Sequence, residues 1–241
     1  MANGTAWRNC CRQRRRFPRA FSQPTVLRLT DCVNASSTLA DHDFGYAVSG
    51  TGAVFSGLAP GTDNAIGIAR ANLGTVATNR AALWSVFATA LQFGVLGQAI
   101  CTTRCRIVTL STATNTFTLR ADFIDSVTAE SADGVFFRYT HSVNGGRWQF
   151  VARANNVETA VDIGLTATAN AWVDLEVRVE NGVAYGRING GIAVSISTNI
   201  PSGSGRETGY GVMALRSAGT TSLNAFDIDF LEVIANFSVT R

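Results

Sequence analysis

A chain of 241 residues that is 46% hydrophobic, only 15% charged and holds 23 glycines is too apolar for an intrinsically disordered protein. It suits a single domain of many short strands joined by tight turns. The net charge of +3 divides unevenly, because residues 1–30 carry seven of the 20 arginines and no acid, which leaves the remainder acidic.

No uninterrupted apolar run of about 18 residues occurs, and no apolar stretch follows the first arginines, so neither a membrane span nor a signal peptide is expected and synthesis in a cytoplasm is. Five cysteines (Cys10, Cys11, Cys32, Cys101 and Cys105) are odd in number and irregular in spacing, which predicts reduced thiols. The Cys101/Cys105 pair lacks the second pair or nearby histidine that zinc needs, so no metal and no cofactor are expected.

Residues 1–40 show no sustained periodicity, contain Pro18 and Pro24, and close on the polar run from Asn34 to Thr38; they read as an extended arm and linker. Within the arm, Arg8, Arg12, Arg14, Arg15, Arg16 and Arg19 are interleaved with Trp7, Phe17 and Phe21. Guanidiniums fork onto carboxylates and aromatics anchor in pockets, so these nine residues form the expected partner-binding segment. The same composition could neutralise phosphates and stack on bases, which makes nucleic acid the alternative partner.

From Phe44 onward alternation with period two dominates and predicts strands with one dry and one wet face over residues 41–241. Leu83 to Leu91 is compatible with helical spacing, but Trp84, Val86 and Phe87 favour a strand. Phe117, Leu119, Ala121 and Phe123 oppose Thr118, Arg120 and Asp122. Trp148, Phe150 and Ala152 oppose Arg147, Gln149 and Arg153, and Val173, Leu175, Val177 and Val179 oppose Asp174, Glu176, Arg178 and Glu180. Asn144-Gly145-Gly146, Asn181-Gly182 and Asn189-Gly190-Gly191 supply residues that tolerate positive φ, as hairpin turns require. The last two turns predict a three-stranded meander from Trp172 to Ile196.

The segments Leu110–Arg120, Asp133–Tyr139, Arg147–Arg153, Ala171–Arg178, Gly186–Gly190, Thr198–Pro201, Ser217–Thr221 and Phe226–Phe230 resemble, in order and spacing, the concanavalin-like jelly-roll domains of tailed-phage virion proteins. The resemblance covers about residues 41–236, leaves the arm outside, and implies an all-β, two-sheet antiparallel jelly-roll sandwich with a basic N-terminal arm. It further implies a non-enzymatic virion protein, made in the host cytoplasm and built into the particle. A capsid decoration or cement protein, docked by its arm on the major capsid protein or other virion proteins and assembled as a homo-oligomer, with a trimer as the expected form, is the leading expectation. A tail or fibre protein, or a carbohydrate-binding adhesion module for host surface glycans, is the alternative.

Three further constellations test that expectation. Asp227-Ile-Asp229-Phe-Leu-Glu232 resembles the carboxylate strand of jelly-roll glucanases, but alternation puts Asp227 and Asp229 on one face and Glu232 across the pleat unless a bulge intervenes, with Phe226, Ile228 and Phe230 as the buried complement. A solvated outer face explains these acids, so no catalytic residue is assigned. Asp122, Asp125 and Asp133 are the only loop-rich carboxylate group that could suit calcium. Among aromatics that could stack on sugar, Trp148 shares its face with core residues, whereas Trp172 has the polar parity of its strand and is the expected glycan contact, with Tyr185 also available. His141, at a strand end, reads as an ordinary edge histidine.

Overall fold

The computed structural model describes residues 25–31, 44–58, 67–85, 90–141, 144–219 and 224–237. They form fifteen strands in two antiparallel sheets packed face to face. Sheet A runs β13 (Val194–Ile196), β12 (Val183–Ile188), β11 (Val173–Glu180), β6 (Leu96–Ile107), β15 (Ala225–Phe237), β4 (Ile68–Leu73) and β3 (Ala53–Leu58). Sheet B runs β10 (Val157–Thr166), β9 (Arg147–Ala154), β8 (Gly134–Thr140), β7 (Phe117–Ile124), β14 (Gly211–Arg216), β5 (Arg80–Ser85) and β2 (Phe44–Ser49). Strand β1 (Thr25–Asp31), which lies in the segment read from sequence as arm and linker, pairs antiparallel with Asn236 to Phe230 of β15. It extends the edge that β4 begins on the other half of the same strand.

The expected alternation builds the core. Phe117, Leu119, Ala121 and Phe123 of β7, Trp148, Phe150 and Ala152 of β9, and Val173 to Val179 at every second position of β11 all enter one cluster between the sheets. Each large side chain buried this way contributes about 1.5–3 kcal/mol of transfer free energy. Gly186 of β12 lies directly under Phe150, and a Cβ there would meet the ring at 2.5 Å, so the sheets approach closely only because that position is bare. The hairpin turns have the expected left-handed residues: Asn181 and Gly182 have φ of 51° and 72°, Asn189 and Gly190 of 53° and 68°.

The ambiguous stretch begins as strand β5; residues 86–89 lie outside the described ones, and Leu91 resumes with an isolated bridge to Thr208 before a short 3-10 turn at Phe93–Val95. A second, smaller apolar cluster sits on the outer face of sheet B, where Ala82, Ile124, Phe136, Val151 and Met213 are covered by Val127 of the Asp125–Asp133 connection. Among the described residues no helix is long and apolar enough to cross a membrane.

Candidate functional site

Apart from Asp122, alternate residues of β7, β8 and β9 point away from the core, and four of these are arginines; Arg147 pairs with Asp162 near the strand end, and the other three form one cluster. Arg138 of β8 donates from Nη1 and Nη2 to the two carboxylate oxygens of Glu158 on β10 at 2.8 and 2.7 Å, and from Nε and Nη2 to Gln149 Oε1 at 3.1 Å. Arg153 of β9 lies between Glu130, at 3.3 Å, and Glu158, at 3.7 Å. Arg120 of β7 grips Glu130 through Nε, at 2.9 Å, and Nη2.

The result is one alternating chain, Arg120–Glu130–Arg153–Glu158–Arg138–Gln149, crossing four strands and the loop that covers the small cluster. It holds three guanidiniums against two carboxylates, with the Arg120, Arg153 and Arg138 side chains only 4%, 16% and 14% exposed. Arg120 Nη1 and Arg153 Nε are buried donors with no hydrogen-bond partner among the described residues. Burial first, and then the charges of Arg138 and Arg153, draw the pKa of Arg120 down to about 10. Each carboxylate lies between two arginines, which fixes its orientation and makes it a positioning group.

The outer face of sheet A is charged as well but satisfies itself. Asp227 on β15 is fully buried; its Oδ1 accepts from Arg70 Nε at 2.7 Å, and its Oδ2 accepts from Arg70 Nη2 and Arg106 Nε at 2.8 Å each. Arg106 and Arg104 also lie over the Trp172 ring, 4.6 and 5.7 Å from its centroid, and Arg104 reaches Asp174 and Asp229 at 3.2 Å. Further along the face, Arg178 stacks on Tyr185 at 4.6 Å and Arg187 pairs with Glu176 at 2.7 Å, around a pocket of about 270 Å³ between β6, β11 and β12. Arg70, Arg104, Arg106, Arg178 and Arg187 on this face thus each have an aromatic ring or a carboxylate as partner.

Residues 64–229 match the family described as SO2946-like, C-terminal domain, which is more than half of the chain. The chain belongs to that family. Its fold is similar to the crystal structure of SO2946, a protein of unknown function from Shewanella oneidensis MR-1, with a TM-score of 0.67 at 11% identity over 92% of this chain and 91% of that one. It is also similar to the carbohydrate recognition domain of Emp47p (TM-score 0.57, 12% identity, 86% of this chain and 94% of that one). Peanut lectin gives a TM-score of 0.55 at 9% identity, covering 90% of this chain and all, 100%, of that one. At these identities the likeness establishes the jelly-roll, lectin-like sandwich. No curated protein matches the chain.

Within this SO2946-like sandwich the residues singled out from sequence fall in different places. Trp7, Arg8, Arg12, Arg14, Arg15, Arg16, Phe17, Arg19 and Phe21 lie outside the described residues. Trp172 is on the outer face of sheet A as its parity predicts, with Arg106 over its ring in a cation–π contact. We therefore expect Trp172→Ala to lower stability by about 1 kcal/mol in denaturant titrations and to leave any ligand affinity unchanged.

The three aspartates weighed for calcium are separately engaged. Asp125 accepts the Asp133 backbone N–H at 3.0 Å, and Asp133 accepts from the Asn155 N–H at 2.8 Å and from Arg206 Nη1 at 3.0 Å. Asp122 departs from the expected face: its φ of 96° breaks the alternation and turns the carboxylate into the core, where Thr103 Oγ1 donates to it at 2.7 Å. Among the described residues no three His, Cys, Asp or Glu side chains gather closely enough to hold a metal ion.

The C-terminal acids depart too, since a bulge between Ile228 and Phe230 resets the register against β6. Glu232 consequently shares the outer parity with Asp227, and Phe230 is half-buried, outside the core that Phe226 and Ile228 enter. Cys101 and Cys105 are free and buried, and burial pushes both thiols up. Sequence reading passed over the arginine chain itself. Arg120, Arg138 and Arg153 are 15 to 33 positions apart, and only the β7–β8–β9 register brings them onto one face.

Proposed function

We propose that this protein is a non-enzymatic carbohydrate-recognition domain and that the outer face of sheet B is its binding face. The observation that carries the reading is the preorganised row of Arg138, Gln149, Arg153 and Glu158, whose planar polar ends are fixed by one another on adjacent strands. Saccharides present hydroxyls in rigid arrays, and a surface of forked donors and acceptors held in advance binds them without ordering its own side chains. Support for the chemistry comes from two structural neighbours that are themselves a carbohydrate recognition domain and a lectin. The non-enzymatic reading is supported by the pairing of both carboxylates on this face with arginines, which assigns them to holding the row in place.

The test is a glycan array probed with the full chain. Retention on at least one glycan is expected, with a loss of at least about tenfold in Arg138→Ala, because this arginine holds both Gln149 and Glu158 in the row and keeps one N–H for a ligand. Equal retention by parent and variant would remove the face from the account.

The arginine-rich opening of the chain favours a second reading, docking on a virion shell, with the nine arginines and aromatics from Trp7 to Phe21 as the attachment residues. The comparisons bear only on the sandwich, and the jelly roll is compatible with either role. Mass-spectrometric detection of the chain in purified particles of the encoding virus would support this second reading; absence from the particles would end it.

A further inference from the structure

We infer that the group recognised on this face is a carboxylate, as carried by a uronate-containing saccharide, and that it binds by taking the place of Glu130 against Arg120 and Arg153. This rests on the carbohydrate-binding reading and adds the class of ligand to it.

Charge is the first reason. Three guanidiniums and two carboxylates leave one positive charge uncompensated in a cluster whose arginine side chains are at most 16% exposed. Such a charge is costly unless an anion or further hydrogen bonds meet it. The orphan donors are the second reason. Arg120 Nη1 and Arg153 Nε both lie on the two arginines that share Glu130, and neither is among the nitrogens that meet its carboxylate, which are Arg120 Nε and Nη2 and Arg153 Nη1. One carboxylate with two oxygens, already engaged by two Arg120 nitrogens, does not satisfy every donor that converges on it.

Glu130 itself is the third. It is the most exposed member of the chain at 37%, and it sits in the connection after β7, in a turn stabilised by the Ser126 hydroxyl accepting from the backbone N–H groups of Thr128 and Ala129. A side chain on a loop can swing out where Arg120, on a central strand with neighbours on both sides, cannot. The face therefore holds an internal stand-in with the geometry its ligand needs: a planar anion gripped by a fork of guanidinium N–H groups. An external carboxylate takes over the Glu130 contacts at Arg120 and Arg153, and Glu130, turned to water on its exposed connection, remains beside the face, so that three carboxylates then meet the three guanidiniums.

The experiment measures binding of the full chain, by calorimetry, to a panel of hexasaccharides: uronate oligomers, the same oligomers with their carboxyls reduced to alcohols, and neutral oligomers bearing sulfate. A uronate oligomer is expected to bind at low salt and to weaken toward 1 M salt, where the approach of the charged ligand from water is screened beyond about 3 Å. Its reduced counterpart is expected to lose at least about tenfold, because the charge-assisted fork is gone. The Glu130→Gln variant, which removes the competing anion from an exposed loop position, is expected to bind the uronate about fivefold more tightly.

Weaker or unchanged uronate binding by Glu130→Gln would overturn displacement, since a merely structural Glu130 gives that result. Equal binding of acidic and reduced oligomers would overturn the carboxylate assignment while leaving the carbohydrate reading intact, and a preference for the sulfated oligomers would do the same. Binding to no saccharide of any class would sink both.

Discussion

Asp227→Ala is expected to lose about 3 kcal/mol or more of folding stability, the largest effect of any single exposed-face substitution, because it removes one partner from a buried ion cluster. Asp227 is fully buried between β4 and β6, and both of its oxygens are used: Arg70 takes one from Nε and the other from Nη2, and Arg106 adds a third bond from Nε. Alanine would leave two guanidiniums facing each other across a cavity with their shared anion gone. Arg70, at 27% exposed, can turn partly to water, whereas Arg106, at 11%, is also held over the Trp172 ring.

Asp227→Asn keeps the shape and two acceptor lone pairs but not the charge, so it is expected to recover only a minor part of the loss. Denaturant titrations with unchanged m-values check both variants. A change below about 1 kcal/mol for alanine would mean that the cluster is solvated like an ordinary surface pair. The first carboxylate of the acidic C-terminal strand thus serves to hold β4, β15 and β6 together.

Asp122→Asn is expected to act in the opposite direction and to stabilise the protein above neutral pH by about 2 kcal/mol, since it replaces a buried acid by its neutral isostere. Burial is the main cause that raises Asp122 to a pKa of about 8; the charge of Glu176 on β11 adds to it, and hydrogen bonds from Thr103 and Cys101 on β6 oppose it. The folded-state pKa exceeds the unfolded value of 3.8, so between pH 4 and 8 the native chain holds a proton that the unfolded chain has released.

Stability from this group is thus complete at or below about pH 4 and falls as pH rises, with a limiting slope of about 1.4 kcal/mol per pH unit, until Asp122 ionises near pH 8. Unfolding free energies measured at pH 5, 6, 7 and 8 are expected to decline less steeply for the Asn variant than for the parent. Parallel curves would show that the native carboxyl has an ordinary affinity for its proton. Oδ2 of Asp122 has no partner among the described residues, which gives the Asn amide a donor to accommodate and caps the gain.

How much of this could be read from sequence depended on whether a feature was local or set by register. Period-two alternation in β7, β9 and β11 named the core face residue by residue, and the Asn-Gly pairs placed the hairpins, because both signals are carried within a few residues. Asp122 defeated the alternation through a single positive φ, which its residue type tolerates but does not announce. The bulge at Asp229 did the same to Glu232 and Phe230, since nothing in Asp227-Ile-Asp229-Phe230 marks an extra residue opposite β6. Strand β1 went unread because Thr25–Asp31 is short, follows an arginine-rich run and pairs with a strand about 200 positions away in the chain.

The candidate site was the least legible part. Arg120 was correctly placed on the outer face, but its neighbours on that face come from β8, β9 and β10, and a guanidinium's partners cannot be named before strand order is known. Trp172 shows the converse. Its parity was right, and the arginines that cover it come from β6, roughly 70 positions earlier.

The most direct measurement is hydrogen–deuterium exchange of the full chain with and without the oligosaccharide it retains best on an array. Slower exchange confined to β8, β9 and the Asp125–Asp133 connection is the predicted footprint, because a saccharide lying across Arg138, Gln149 and Arg153 shields those backbones. Protection confined to β11 and β12 on the opposite sheet would contradict the account, as would a chain that retains no glycan at all.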